Sequence, residues 1–113
     1  MDTYALDNSL SKVSDLIDTE LQIQTLRCFL FVAHRGSCTQ KDVENALKLS
    51  NASASRNISY WTERRFDRKE GKGFIMRVDD PQDRRFRVLT LTKKGRDFFN
   101  LLRQEHINGE TTG

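Results

Sequence analysis

Arg77-Val78-Asp79-Asp80-Pro81-Gln82-Asp83-Arg84-Arg85-Phe86-Arg87-Val88-Leu89-Thr90-Leu91-Thr92 reads as two apolar-patterned strands joined by a loop that is acidic first and basic after. Such a hairpin is a wing. Arginines held at its tip can enter the narrow, electronegative minor groove of DNA. That reading requires a helical element upstream to meet the major groove.

Upstream, Thr39 is an N-cap with Asp42 three residues on, an acidic variant of the capping box, and Val43, Ala46 and Leu47 form the apolar stripe of a short helix. Leu49 follows as a core residue. Ser50 is an N-cap for a second helix, in which Ala54, Ile58 and Trp61 recur at i, i+4 and i+7. Two helices joined by so short a turn predict a helix-turn-helix over residues 39–66. Before it, residues 21–34 carry Leu26, Phe29, Leu30 and Ala33 as a stripe widened by Ile23 and Val32, which predicts a buried central helix ended by Gly36 in the left-handed conformation. Residues 1–8 show no clear pattern. Leu10, Val13, Leu16 and Ile17 then predict an amphipathic helix starting at Ser9, so that residues 1–20 form an N-terminal interaction or dimerisation element.

Gly71 and Gly73 break the helical pattern, after which Phe74, Met76 and Val78 alternate with Ile75 and Arg77 as one strand, and Phe86 to Leu91 form the second. The wing hairpin thus spans 73–91, with Pro81 in its loop where a missing N–H is harmless. Thr92 caps a last helix over 92–107, with Phe98, Leu101 and Leu102 along one side and Phe99 beside them, and a polar, frayed tail is expected from Asn108. The order is four helices, strand, wing, strand, helix. It predicts one domain over 1–113, mainly α with a small β-hairpin (α+β), a winged helix-turn-helix.

Composition agrees with one modest core, since 36 % of the 113 residues are apolar. Neither an apolar run of roughly 20 residues nor a leader pattern is present, so a cytoplasmic, nucleoid-associated protein without membrane contact is expected. Cys28 and Cys38 belong to no CxxC and lack histidine spacing, and His34 and His106 stand alone, so neither metal nor cofactor is expected. Reduced structural thiols are the main reading, with redox sensing at Cys38 as the alternative. Net charge of +3 conceals an asymmetry: residues 1–26 sum to −4 and residues 56–96 to +7. The basic half holds the wing, and such a concentration favours a polyanion through phosphate neutralisation, although a merely solvated face is the other reading.

On the predicted second helix, Ala52, Ser53, Arg56, Ser59 and Tyr60 lie on or near the face opposite Ala54, Ile58 and Trp61. Small residues in its first turn allow deep entry into the major groove, and Arg56 can make a bidentate contact to guanine. Asn51, Ser53 and Ser55 are candidates for phosphates or base edges, or simply caps crowding a helix start, and Tyr60 completes the candidate surface. In the wing the candidates are Arg84, Arg85 and Arg87, with Asp83 as the clamp that orients Arg84 or Arg85; a surface ion-pair network is the alternative. Lys93 and Lys94 sit at the positive end of the last helix, where a cation is mildly unfavourable, so they serve either phosphate contact or solubility. No catalytic constellation is present: the histidines lack partners, the serines lack a nucleophile-elbow context, and no glycine-rich phosphate loop occurs, so the chain is expected not to be an enzyme.

Thr39-Gln40-Lys41-Asp42-Val43, Ser53-Ala54-Ser55-Arg56, Gly73-Phe74-Ile75-Met76-Arg77, Asp80-Pro81-Gln82-Asp83-Arg84-Arg85 and Leu91-Thr92-Lys93-Lys94-Gly95 taken together resemble the MarR family of winged-helix transcription regulators, over roughly residues 21–102. The resemblance implies a homodimer on a pseudo-palindromic operator, with helix 50–66 in the major groove and Arg84 or Arg85 in the flanking minor groove. Two departures stand out. Residues 64–72 insert several charged residues before the glycine-led strand. The family's further C-terminal helix, which builds most of the dimer interface and helps enclose an effector pocket, has no counterpart in the 113 residues, leaving homodimer and small-molecule effector open. The expected function is a sequence-specific regulator bound to double-stranded DNA; the alternatives are a winged-helix interaction or assembly module and a sequence-independent architectural DNA binder.

Overall fold

Asp2, rather than Ser9, starts the first helix in the computed structural model, which describes residues 2–63 and 69–112, with backbone alone over 105–112. The Asp2 carboxylate accepts from the Tyr4 and Ala5 N–H groups at 3.0 and 3.2 Å, opening α1 (Thr3–Leu16). A charged cap at the positive end of the helix dipole is the stronger of the two signals. Ser9 lies buried in mid-helix and its hydroxyl donates to the Leu102 carbonyl at 3.4 Å. The buried face is Ala5, Ser9 and Val13, small residues that let α1 lie close against the last helix, whereas Leu10 and Leu16 are exposed.

In α2 (Ile23–Arg35), Thr25, Cys28, Phe29 and Val32 are buried, while Ile23, expected to widen the stripe, is 76 % exposed. Gly36 ends it at φ +78°, its N–H bonded to the Val32 carbonyl at 2.9 Å. The chain then makes β1 (Ser37–Cys38), a strand too short to leave any periodicity in the sequence. Both halves of the Thr39/Asp42 capping box are present at the start of α3 (Gln40–Leu47), at 3.1 and 3.0 Å. Ser50 caps α4 (Asn51–Trp61) through the Ser53 N–H at 3.1 Å.

Helix α4 is shorter than the expected 50–66, because Thr62 turns to extended backbone. Returning chain satisfies the carbonyls left at that end: the N–H groups of Gly71, Lys72, Gly73 and Phe74 bond the carbonyls of Glu63, Tyr60, Thr62 and Trp61 at 2.7–3.2 Å. Gly71 passes so near that a Cβ there would lie 1.9 Å from the Thr62 carbonyl oxygen. Of the expected charged insertion over 64–72, residues 64–68 lie outside the described residues.

Strands β2 (Ile75–Asp79) and β3 (Arg87–Leu91) pair antiparallel with Ile75 opposite Leu91 and Asp79 opposite Arg87. β1 adds to the far edge of β3, so the sheet is three-stranded in the order β1-β3-β2 rather than a lone hairpin. Its inward face carries Ile75, not Met76, which is 41 % exposed; Phe74 is buried because it precedes the strand, where the chain crosses the end of α4. Phe86, expected to open the second strand, is exposed and outside it. Thr92 caps α5 (Lys93–Thr112) through the Gly95 N–H at 3.1 Å, and that helix runs five residues beyond the expected 107, through the expected tail.

One aromatic cluster ties these elements together. Phe29 from α2 has Trp61, Phe74, Phe98 and Phe99 around it at ring-centroid distances of 5.0–6.5 Å, and Trp61 stacks on Phe74 at 5.7 Å. The indole N–H of Trp61 donates to the Thr25 carbonyl at 2.8 Å, so the ring is both packed and satisfied. Among the described residues no helix is long and apolar enough to cross a membrane.

Candidate nucleic-acid interface

The open face of α4 is narrower than its helical spacing predicts. Asn51, Ala52 and Arg56 are exposed, Ser53 and Ser55 half-buried, and Ser59 is buried, so Ser59 leaves the outward set. Tyr60 turns sideways: its hydroxyl donates to Asp18 Oδ2 at 3.5 Å in the turn between α1 and α2, and Lys72 Nζ lies 5.8 Å from its ring centre. Arg56 has neither a hydrogen bond nor an ion pair among the described residues. Asn51 donates to Glu44 Oε2 at 3.2 Å, and Gln40 reaches both that oxygen and the Asn51 carbonyl at 3.4 Å. These contacts fix the angle between α3 and α4.

At the wing, Asp80 accepts the Gln82 N–H at 2.9 Å, and Asp83 accepts the Arg85 N–H at 3.1 Å. Two successive Asp-led turns therefore shape the tip. Asp83 also takes Arg85 Nε on Oδ1 at 3.0 Å and Nη2 on Oδ2 at 2.8 Å, a bidentate pairing. The Arg85 side chain holds its carboxyl below the ordinary aspartate value, and the carboxylate in turn raises the guanidinium. Arg84, by contrast, is exposed and unpaired among the described residues. Of the two arginines open to Asp83 in the sequence, the clamp goes to Arg85. At the base of the loop, Arg87 Nε lies 3.8 Å from Asp79 Oδ1.

No protein-family model matches the chain, and no curated protein is detectably similar to it in sequence. Solved structures are similar in fold. A MarR-like transcriptional regulator from Thermotoga maritima superposes with TM-score 0.66 at 20 % identity over 94 % of this chain and 76 % of its own. S. aureus MepR in complex with DNA gives 0.67 at 18 % over 97 % and 82 %, and Streptococcus pneumoniae FabT in complex with DNA gives 0.66 at 22 % over 97 % and 74 %. This is the MarR winged-helix fold.

Within the MarR fold the remaining sequence candidates have local partners. Lys93 pairs with Asp97 at 3.1 Å, and Lys94 Nζ stands 5.6 Å from the Phe74 ring centre, so each lysine at the start of α5 has a neighbour that offsets its unfavourable end of the dipole. Asn57 escaped the sequence reading. Its amide donates to the Ser53 carbonyl at 2.8 Å and its carbonyl accepts from Thr25 Oγ1 at 2.7 Å, anchoring α4 to α2. The only sequence signal was its i+4 spacing from Ser53. Cys28 and Cys38 are free and buried; desolvation pushes their thiols up to about 12 and about 11. Between α1, α2 and α5 lies an apolar cavity of about 340 Å³ lined in part by Leu6, Leu10, Leu26, Leu30, Phe99 and Leu102.

Proposed function

We propose that this chain is a non-catalytic, sequence-specific transcription regulator that binds double-stranded DNA. The observation that carries the reading is the Asp83–Arg85 clamp: a guanidinium already ordered at an exposed hairpin tip loses little rotamer freedom on entering a minor groove. In this reading the first turns of α4 enter the major groove. Arg56 reads a base edge; Asn51, Ser53, Ser55 and Tyr60 line the contact; and Arg84, Arg87, Lys93 and Lys94 meet phosphates. MepR and FabT, solved with DNA, support it through their shared fold.

Two copies acting together would match the two halves of a pseudo-palindrome. Tyr4, Leu10, Leu16 and Ile23 leave apolar surface exposed on and beside α1, which supports pairing of two chains through that side. The decisive experiment selects bound duplexes from a random pool and measures affinity for the winner against salt. An enriched motif bound with affinity that falls steeply as salt rises is expected; a pool without a motif would leave only architectural binding, and indifference to salt would remove DNA binding.

A further inference from the structure

Arg77 and Arg87 stand diagonally across the hairpin, Arg77 opposite Leu89 and Arg87 opposite Asp79. Both side chains therefore leave the same face of the sheet, within reach of one another. Arg77 is an exposed residue of β2, and partial desolvation of its guanidinium, with the charge of Arg87 second, holds that group below its ordinary value. Arg87 has Asp79 at 3.8 Å, but Arg77 has neither a hydrogen bond nor an ion pair among the described residues. The pair opens onto a cleft of about 670 Å³ whose other walls include Thr62 and Glu63 at the end of α4 and Thr92 ahead of α5. Among the described residues no ion pair joins Glu63 to either guanidinium.

Two like charges on one face of the hairpin at the edge of a cleft, with Asp79 close to Arg87 alone, disfavour the isolated protein. An anion between them relieves both the repulsion and the lost hydration, and the planar fork of arginine matches phosphate oxygens at two points. We propose that Arg77 and Arg87 form a phosphate clamp at the root of the wing that grips one backbone phosphate of the bound duplex. The proposal rests on the DNA-binding reading above. The cleft lies beside the wing at the C-terminal end of α4, the opposite end of that helix from the turns assigned to the major groove. A phosphate held there sets the wing at a fixed angle to the helix without reading sequence.

The test compares the full chain with Arg77→Gln and Arg77→Lys by fluorescence anisotropy on duplex DNA across a salt series, alongside thermal melts of the free proteins. Arg77→Gln is expected to melt no lower than the parent, to bind every sequence more weakly, and to reduce the slope of log affinity against log salt by about one, whereas Arg77→Lys retains the slope. A parent slope preserved in Arg77→Gln overturns the clamp while leaving DNA binding intact. A parent protein that binds no duplex overturns both readings. The free ion is separated from the backbone by melting in sodium phosphate and in sodium chloride at equal ionic strength: phosphate-specific stabilisation lost in Arg77→Gln, with an unchanged DNA slope, would reassign the pair to a soluble anion and overturn the duplex assignment.

Discussion

Asp83 holds Arg85 at two points, Nε at 3.0 Å and Nη2 at 2.8 Å, while the neighbouring exposed Arg84 is unpaired among the described residues. Removing a carboxylate from a DNA-binding loop should strengthen binding if only net charge mattered. Orientation argues the reverse, so Asp83→Ala is expected to weaken duplex binding, and Asp83→Ala with Arg85→Ala to be little worse than Arg85→Ala alone. Anisotropy on the selected site checks this double-mutant cycle; tighter binding by Asp83→Ala would show that the carboxylate merely repels phosphate.

The same pair makes a pH statement. Because the folded carboxyl lies below its ordinary value of 3.8, whatever the clamp contributes is fully present above that value and is lost only as pH falls through the lower folded one. The Asp83 side-chain carbon resonance in an NMR titration should therefore have a midpoint below 3.8. A midpoint at or above it would mean that the clamp is open in solution.

Arg56 is the exposed cation of α4 with no partner among the described residues. Arg56→Ala is expected to cost about 1–3 kcal/mol on the preferred site and to relax preference at one base position. Parallel selections with parent and variant check it, and equal losses on every sequence would move Arg56 from base reading to phosphate contact.

Gly95 sits in the first turn of α5, where an added Cβ would come 2.1 Å from the Phe74 carbonyl oxygen. Backbone, rather than a flexible side chain, is what it would meet. Gly95→Ala should therefore destabilise by about 1–3 kcal/mol, read by urea denaturation. Unchanged stability would show that the helix start shifts freely from the strand.

At pH 8 both cysteines should remain protonated, given thiols pushed to about 12 and about 11 inside the core. A thiol-disulfide reagent is expected to label them only as fast as the protein opens, and far faster in denaturant. Rapid labelling of native Cys38 would revive the redox-sensing alternative.

Local signals were legible wherever neighbouring residues satisfy one another. The Thr39/Asp42 box, the Ser50 cap, the Gly36 stop and the Thr92 cap each close within three or four residues of chain, and each is present in the structure. The reading failed where a distant partner decided. Ser9 looked like a cap because it is a serine before an apolar pattern, yet it packs buried against α5. Alternation of Phe74, Met76 and Val78 with Ile75 and Arg77 leaves open which side meets the core, and packing against the helices places Ile75 inside and leaves Met76 exposed. Strand β1 has only two residues and exists because β3 offers an edge.

By itself the sequence determined the order of the helices and the two wing strands, the caps of α3, α4 and α5 and the acidic-then-basic chemistry of the wing, because helix ends, turn residues and charge patterns are local interactions written in consecutive positions. Only the tertiary structure decided that α4 stops at Trp61, that Asp83 takes Arg85 rather than Arg84, and that Arg77 shares a cleft with Arg87. Those outcomes depend on which carbonyls the returning chain covers, on the dihedral angles of the loop tip, and on cross-strand register, and each is set by groups that meet only once the chain has folded.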